Sequence, residues 1–520
     1  MRVQNFNLID ESWIRVKYLN DKLPKMVSLA TLFKDSNQIK ELAGDSRPQD
    51  LAVLRLLEAI FARVYQDGDP IQTWQKLFKT QNFSQVLTYL KEHTNEFDFL
   101  SKTKPFMQVP EDTYNSFLAK AVKKPKTPVS IKQLNRDVNE SNNSMMTTSF
   151  TSNSDKNKID MPSLVRWIIT YQQFSAVTDK GKLTKDPIDG GQLLNIKSFY
   201  VKGRNLAETI LLNSFLEGKL GKPIWEQDPS SYAKKRIKMT APDSVCELYT
   251  LPSRLLWIDW VHNRPQVHAI AYPKINRQNM FEPMTTWHYL EKENSYLPER
   301  LSVKSKDTDF IVWYNFAQYF NDTLKSNPAQ IKWLKKLAEH HSFPEDFDLD
   351  LQLCAYANNG GATSQTPVLE ATDNLKLNIY FVFKYQQELT NLISKLQRVG
   401  NKCVYAFGKR LDDLYSTNDY HNKRLLYDYY QTLAREFTSW LTNVSHQDLD
   451  KAELNKEFVK EEKHIYQLIM KITRKYLKRL QFKVDSQNLT AIDYWQMMLS
   501  KIRKEFDLSS KSTAECITKE

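Results

Sequence analysis

From Asn374 onward the chain contains no proline and only two glycines, Gly400 and Gly408. Proline breaks helices and glycine weakens them, so such a long stretch is free to be helical throughout. Apolar residues at helical spacing form one stripe here: Phe458, Ile465, Leu468, Ile469, Ile472, Tyr476 and Leu480. We predict four helices near residues 376–415, 421–444, 452–484 and 489–506. The short polar connections between them predict an antiparallel bundle.

The chain before residue 370 has a different pattern, in which strand-like and helical stretches alternate. Helical spacing of apolar residues predicts helices that begin near Pro48 and at Asp160, and another over residues 309–324. Residues 6–14 alternate apolar and polar side chains, which predicts a short, half-buried strand held by the indole of Trp13.

Together these patterns predict an α+β fold. A large mixed N-terminal domain of short strands and helices, residues 1–370, is followed by a C-terminal four-helix bundle, residues 371–520. A polar loop is predicted between about residues 120 and 160, because Ser, Thr and Asn dominate its second half. Its first half carries Lys123, Lys124 and Lys126 with no acidic residue among them.

The net charge of +12 favours a polyanion as partner, nucleic acid first, although a merely soluble basic surface would have the same charge. The four cysteines are far apart in sequence, so we expect reduced thiols rather than disulfides or a zinc site. No apolar run approaches membrane-spanning length. We therefore expect a cytoplasmic chain with no membrane partner.

A search for catalytic motifs is negative. The sequence has no GxxxxGK[ST] phosphate loop, no HExxH and no GxSxG. The adjacent acid pairs, such as Asp412-Asp413 and Glu461-Glu462, point in different directions on a helix and cannot converge across one cleft. We therefore predict no catalytic residue, no cofactor and no metal.

Several short stretches resemble, in the same order along the chain, stretches of the CasA family, the large subunit of the type I-E CRISPR surveillance complex called Cascade. They are residues 6–14, 39–45 with 51–57, 105–108, 201–206 with 209–213, 356–359 and 365–370, followed by the C-terminal helical block. The resemblance implies a non-catalytic subunit at one end of the crRNA-guided complex. It would read the protospacer-adjacent motif (PAM) on double-stranded target DNA, help to open the duplex and dock a separate helicase-nuclease. Its implied partners are thus the crRNA-containing Cascade subunits, the target DNA and the helicase-nuclease.

The resemblance also implies which residues read the PAM from the minor groove, where the hydrogen-bonding code is degenerate. The family uses a glycine loop and a lysine for this. The matching loop here is residues 178–182, which implies Gly181. The matching lysine is Lys274, with Arg277 as the alternative.

A glutamine wedge is the third element that the resemblance implies. It falls on Gln365, flanked by Ser364 and Thr366, and Asn359 competes with it for the tip of the hairpin. A side chain inserted between base pairs costs unstacking energy, which contacts to the opened strands offset. The alternative is that Gln365 is an ordinary loop residue with no role in DNA binding.

Two further surfaces are expected. Phe150, with Thr151 and Ser152, aligns with a loop that contacts the crRNA end and a neighbouring subunit. The positive charge of the third bundle helix, rather than the resemblance, predicts a basic face there, for which we select Lys471, Lys475 and Lys478. That face can hold a phosphate backbone or can simply be solvated. Some family members have a zinc loop after the Trp-rich strand, but Asp259–His262 contains no cysteine, which implies no metal here.

Two other functions stay open from the sequence. A nucleic-acid-processing enzyme, such as a nuclease, would need three or more acids or histidines that converge in one cleft. A pure scaffold would bind only protein. Duplex binding by the assembled complex, and cleavage by the isolated chain with a divalent metal, separate these alternatives from DNA recognition.

Overall fold

The computed structural model of the chain describes residues 5–134, 158–176, 181–262, 264–302, 304–321, 327–358, 367–478 and 486–508. It has a mixed helix and strand fold with small sheets, in the orders β2-β1-β3, β10-β9-β4, β5-β6 and β7-β8. This confirms the predicted α+β class. The described residues fall into two compact units. The first lies within residues 1–306, 325–343 and 350–373, and the second within 307–324, 344–349 and 374–520.

The strands are short. Their bounds are β1 Ile14–Tyr18, β2 Lys25–Val27, β3 Ile39–Leu42, β4 Phe199–Lys202, β5 Arg254–Val261, β6 Arg264–Ala271, β7 Trp287–Leu290, β8 Ser295–Pro298, β9 Asp348–Asn358 and β10 Pro367–Asn378.

The helices before residue 340 are α1 Leu29–Lys34, α2 Arg47–Val64, α3 Pro70–Thr80, α4 Ser84–Glu92, α5 Glu111–Lys120, α6 Ile131–Leu134, α7 Met161–Phe174, α8 Leu206–Asn213, α9 Pro229–Ile237, α10 Val245–Tyr249, α11 Phe316–Phe320 and α12 Ala329–Glu339. Single 3₁₀ turns lie at Thr94–Phe97, Ile224–Glu226, Glu291–Glu293 and Asp307–Phe310.

Helix α2 lies at the centre of the first unit, and nearly every residue from Pro48 to Ala62 is buried. Its N-cap is Ser46, whose hydroxyl accepts from the backbone amide of Gln49, and Pro48 occupies the first turn, as the sequence predicts. The buried guanidinium of Arg55 is held by both carboxylate oxygens of Glu282, at 2.8 and 3.0 Å. Helix α7 packs on α2 and is capped by Asp160, so this predicted helix start is also confirmed.

The strands β5 and β6 form a hairpin in the first unit. They pair at eight positions, from Arg254 opposite Ala271 to Val261 opposite Arg264. The inward side chains of the hairpin, among them Leu255 and Ile270, join a core with residues of α5 and α9. The Trp-rich stretch with Trp257 and Trp260 is therefore a strand, β5.

The N-terminal stretch 6–14 is not a strand, so that prediction is wrong. The amides of Asp10 and Glu11 both donate to the carbonyl of Asn7, at 3.3 and 2.9 Å, which makes a turn, and β1 begins only at Ile14. The predicted role of the indole is correct, because Trp13 is fully buried and donates to the carbonyl of Leu8 at 2.9 Å.

The second unit contains the predicted four-helix bundle. Its helices are α13 Ile379–Lys384, α14 Gln386–Arg398, a π-helical turn Val399–Val404, α15 Tyr405–Tyr415, α16 Tyr420–Val444, α17 Lys451–Lys478 and α18 Ser486–Glu505. Helices α13 to α15 form the first long segment. Around the bundle, α15 packs on α16 and α18, and α17 packs on α16 and α18.

Side-chain bonds along α17 and α18 show the antiparallel arrangement. Arg503 donates to the Tyr466 hydroxyl at 2.8 Å, and Trp495 donates to Thr473 at 2.7 Å, so higher numbers on one helix meet lower numbers on the other. This agrees with the bundle predicted from the short connections.

The helix predicted over residues 309–324 is wrong over most of its described part, 309–321, where α11, Phe316–Phe320, is the only α-helix. The side-chain amide of Asn315 donates to the carbonyls of Thr308 and Ile311, at 2.8 and 2.7 Å. These bonds turn the chain before α11 instead of letting one helix run through.

Candidate nucleic-acid interface

The structure describes only some of the residues that the sequence selects. Gly181 and Lys274 both lie in the first unit, and Lys471 and Lys475 lie on α17. The side chain of Lys478 is not among those described. Other selected residues also lie outside the described ranges: Phe150, Thr151, Ser152, Asn359, Ser364, Gln365 and Thr366.

Gly181 and Lys274 belong to one small ladder of backbone hydrogen bonds. The amide of Ala271, at the end of β6, donates to the carbonyl of Gly181 at 3.1 Å. The amide of Lys274 donates to the carbonyl of Pro187 at 2.8 Å, and the amide of Asp189 donates to the carbonyl of Tyr272 at 2.9 Å. The segment from 181 to 189 is thus fixed along the segment from 271 to 274.

A third segment completes this ladder. Lys123 and Lys182 exchange both backbone bonds, at 3.1 and 2.8 Å. The ladder therefore joins the acid-free lysine run after α5 to the predicted glycine loop and the predicted lysine.

Gly181 is buried, and its lack of a side chain has a local cause. A Cβ atom there would lie 2.9 Å from Cδ of Pro125 and 3.2 Å from the carbonyl oxygen of Lys123. Both distances are shorter than real Cβ contacts normally allow. Glycine at this position therefore lets the three segments come together.

We call the lysines along this ladder the basic ridge: Lys123, Lys124, Lys126, Lys182, Lys185 and Lys274. Lys182 is half-buried and the other five are exposed. Among the described residues, Lys124, Lys126, Lys182, Lys185 and Lys274 have no ion-pair partner. Several unpaired ammonium groups on neighbouring segments make a surface suited to a polyanion.

The alternative residue Arg277 has a different environment. It is 7% exposed, and its guanidinium donates to the carboxylate of Asp189 at 2.9 Å and to the carbonyl of Gln192 at 3.2 Å. Asp189 also meets the buried guanidinium of Arg236 at 3.4 Å. Arg277 is therefore occupied inside the first unit, whereas Lys274 is free to reach a ligand.

Aromatic side chains of the hairpin β5–β6, whose end joins this ladder, pack with one another and with α5. The rings of Trp257 and His268, opposite each other on β5 and β6, stack at 4.8 Å, and Tyr114 of α5 lies 5.8 Å from Trp257. Burial lowers the pKa of His268, with Asp259 and Glu111 opposing it. A neutral, stacked imidazole of this kind serves packing.

The basic face of the bundle is present in part. Lys471 and Lys475 lie one helical turn apart on α17, and both are exposed. Neither has an ion-pair partner in the part of the chain that the structure describes. Thr473 and Tyr476, between and beside them, are buried.

Lys182 and Lys185 were not selected from the sequence as site residues. The signal that could have found them is weak, because two lysines shortly after a glycine are common in any polar loop. Only the backbone ladder with residues 123 and 271 places them beside Lys274.

The described residues contain no group of three or more His, Cys, Asp or Glu side chains arranged to hold a metal ion. In the same ranges, no helix is both long and apolar enough for a membrane span. Cys246, Cys354 and Cys403 are buried free thiols. Burial raises the pKa of the Cys246 thiol to about 12.

Comparison with known proteins gives a consistent result. The sequence profile of the CRISPR-associated protein Cse1 matches residues 7–469 of this chain. No curated protein matches the chain.

Solved structures with the same fold extend over nearly the whole chain. Cse1 from Thermobifida fusca is similar at 19% sequence identity and a TM-score of 0.78, covering 98% of this chain and 99% of that one. CasA (Cse1) from Thermus thermophilus is similar at 15% identity and a TM-score of 0.71, covering 96% and 99%. A chain of a CRISPR RNA-guided surveillance complex is similar at 13% identity and a TM-score of 0.63, covering 96% and 99%. Because the family profile matches most of the sequence, this chain belongs to the Cse1 family of CRISPR-associated proteins.

Proposed function

We propose that this chain is the large, non-catalytic subunit of a cytoplasmic, crRNA-guided type I-E Cascade complex. In that complex it recognises the PAM on double-stranded target DNA from the minor groove, promotes strand opening and R-loop formation, and docks the helicase-nuclease. Family membership supports the placement in Cascade, because a fold of this kind occurs in a CRISPR RNA-guided surveillance complex. Guide pairing reads the target in such complexes, so the protein needs to read only a short duplex flank.

The observation that carries DNA recognition is the basic ridge. It brings Lys274 to the same ladder as Gly181 and leaves its ammonium group without an ion-pair partner among the described residues. In the minor groove, A·T and T·A pairs both present only acceptors, and an ammonium group donates to acceptors of either kind. Lys274 can therefore read the flank with the tolerance that a degenerate code allows.

The other lysines of the ridge would contact the phosphates on either side of that groove. Each phosphate contact releases counterions, so duplex affinity falls with salt, with a slope of about −0.9 per contact in a plot of log K against log salt. Phosphate contacts fix the register of the protein on the duplex but carry no sequence information. The ridge then positions the duplex, and Lys274 reads it.

The central test is the variant Lys274→Ala in the reconstituted complex. We expect at least about a tenfold loss of affinity for a duplex with the correct flank, which is about 1.4 kcal/mol, with unchanged assembly of the subunits. Lys79→Ala is the matched control, since Lys79 is also exposed on the first unit but lies on α3. Affinity that is the same in Lys274→Ala and the wild type would remove Lys274 from the proposal.

The ridge is tested by the salt dependence. Lys182→Ala combined with Lys185→Ala should lower the magnitude of the salt slope by up to about 2 and weaken duplexes with correct and incorrect flanks equally. Lys274→Ala should weaken the correct flank more than the incorrect one. If every variant loses the same affinity for duplexes with correct and incorrect flanks, the ridge binds phosphates but does not recognise the PAM.

The bundle face is tested in the same way. Lys471→Ala combined with Lys475→Ala should lower the salt slope by up to about 2 if this face holds a phosphate backbone. An unchanged slope would identify it as a solvated face.

Omitting the chain tests its role in the complex. Without it, the remaining subunits should lose recognition of the flanked duplex and recruitment of the helicase-nuclease. Retained recognition would favour a scaffold, and cleavage of DNA by the isolated chain with Mg²⁺ or Mn²⁺ would favour a nuclease.

A further inference from the structure

The first turn of α2 holds both strands of the β9–β10 hairpin. The hydroxyl groups of Ser46 and Tyr356, on β9, lie 2.8 Å apart in a hydrogen bond. The backbone amide of Arg47 donates to the carboxylate of Glu370, on β10, at 2.9 Å. We call Ser46 and Arg47 the hairpin seat.

The two bonds differ in environment, since one is partly buried and the other lies at the surface. Tyr356 is buried, and its ring packs edge-on against Phe174 at 5.2 Å. Glu370 is exposed, and its negative charge lies at the N-terminus of α2, where helix amide groups and the helix dipole favour an anion. Tyr356 lies two residues before the end of β9, and Glu370 lies three residues after the start of β10.

The hairpin seat is itself fixed by its neighbours. The amide of Asp45 donates to the Gln49 side chain at 2.9 Å, and the indole of Trp167 donates to the Asp45 carboxylate at 3.0 Å. Arg166 donates to the same Gln49 side chain at 3.2 Å and to the carbonyl of Trp13 at 2.8 Å. The seat is therefore tied to α7 and to the start of β1.

We propose that the hairpin seat orients the β9–β10 hairpin for strand opening, with Tyr356 and Glu370 as positioning residues. In the described residues, β9 pairs with the third strand β4 from Asp350 to Leu353. A two-stranded ribbon is only marginally stable by itself, so the part of the hairpin beyond Leu353 needs a further anchor if it is to separate base pairs. Because the seat holds one bond to each strand, it resists both sliding and tilting of the hairpin. This inference rests on the proposed function, since it assigns a role within strand opening.

The test compares opening of the duplex with binding to it. Tyr356→Phe removes one hydroxyl but keeps the ring packed on Phe174, and Glu370→Ala removes the acceptor for Arg47. In the reconstituted complex, we expect each variant to open a fully paired flanked target about five- to tenfold more slowly, measured with a fluorescent base beside the flank. Affinity for a flanked duplex that does not match the guide should stay within about twofold of the wild type.

Three controls separate positioning from simple damage to the fold. Tyr200→Phe removes a hydroxyl from β4, which pairs with β9, and that hydroxyl has no hydrogen bond among the described residues. It should open DNA at the wild-type rate. Glu370→Gln keeps an uncharged acceptor and should recover part of the rate. On a target with a preformed bubble beside the flank, Tyr356→Phe and Glu370→Ala should pair the guide with the rest of the target at the wild-type rate, because the opening step is no longer needed.

The outcomes distinguish this inference from the proposed function. If Tyr356→Phe and Glu370→Ala open paired DNA at the wild-type rate while Lys274→Ala still loses affinity, the seat is wrong and DNA recognition stands. If a preformed bubble does not restore the wild-type rate of guide pairing, the variants have damaged the fold generally and the positioning role is also wrong. If leaving out the chain changes neither binding nor opening, the proposed function itself is wrong.

Discussion

The carboxyl group of Asp50 gives a sharp test of the packing around the start of α2. Asp50 is 8% exposed, and one carboxylate oxygen accepts from the amide of Gly44 at 2.7 Å. Burial raises the pKa of Asp50 from 3.8 to about 7, and the nearby charges of Glu41 and Asp45 act in the same direction. The bond from Gly44 and the charge of Arg47 oppose this rise without cancelling it.

The direction of the pH effect follows from proton linkage. The folded state holds the proton of Asp50 more tightly than the unfolded state, so this stability is fully present below about pH 4 and is lost as the pH rises through about 7. With one pKa unit equal to about 1.4 kcal/mol, the raised pKa of Asp50 lowers the stability, relative to its value below about pH 4, by about 2 kcal/mol at about pH 5 and by about 4 kcal/mol at about pH 8. Asp50→Asn removes that cost and keeps an oxygen for the Gly44 amide. Relative to the wild type, it should therefore gain roughly 2 to 3 kcal/mol between these two pH values.

The assay is guanidinium unfolding of the first unit, followed by tryptophan fluorescence at several pH values, with the two proteins compared at each pH. Burial also raises the pKa of Glu461, in the second unit, to about 7, but both proteins carry it and the comparison removes its contribution. A difference that stays constant from about pH 5 to about pH 8 would refute the buried, protonated carboxyl.

Glu41→Gln is the matched control, because its shift has the opposite sign. Burial alone would raise the pKa of Glu41, but the hydrogen bond and charge of Lys202, 2.6 Å away, and the charge of Arg47 lower it. That stability is present above the unfolded pKa and is lost as the pH falls through the folded value. Glu41 itself does not titrate between about pH 5 and about pH 8, so Glu41→Gln should alter the pH dependence only through the part that its charge adds to the pKa shift of Asp50, and therefore much less than Asp50→Asn does.

Two further substitutions test other parts of the fold. In Gly408→Ala the new Cβ would lie 2.5 Å from the backbone Cα of Asn422, so α15 and α16 must separate. We expect a net loss of about 1–2 kcal/mol in stability, measured by thermal unfolding, after the better helix propensity of alanine is counted. An unchanged melting temperature would refute the close contact. Arg277→Met leaves the buried carboxylate of Asp189 without its shortest ion pair and should lower the stability by about 3 kcal/mol. It should also lower the affinity for DNA. Lys274→Ala should lose affinity alone, and equal melting of these two variants would refute the distinction.

Local sequence determines much of the second unit. A stretch without proline, with one apolar stripe and short polar connections, leaves a helix bundle as the arrangement that buries the stripe. The two glycines fit the same picture, since a Cβ at Gly400 would lie 2.5 Å from the Tyr430 hydroxyl and one at Gly408 would meet α16. The starts of α2 and α7 were predictable for a similar reason, because a capping side chain and a proline act within a single turn.

Local pattern failed where a single polar side chain redirected the chain. The side-chain oxygen of Asn7 accepts from the amide of Ile9 at 3.0 Å in the turn that replaces the predicted strand, and the side-chain amide of Asn315 donates to two carbonyls where the helix predicted over 309–324 is interrupted. These bonds are local, but alternation of apolar residues does not show whether a side-chain amide binds the backbone or faces water.

The sequence by itself determined the basic charge, the helical second unit and the resemblance to a known family. Only the tertiary structure decided that the lysine run after α5, the segment at Gly181 and Lys274 form one ladder, and that Arg277 is buried with Asp189 while Lys274 stays exposed. The physical reason is that helix periodicity and capping depend on neighbours within a few residues. The ladder depends on backbone hydrogen bonds between segments far apart in the chain, which no local pattern encodes.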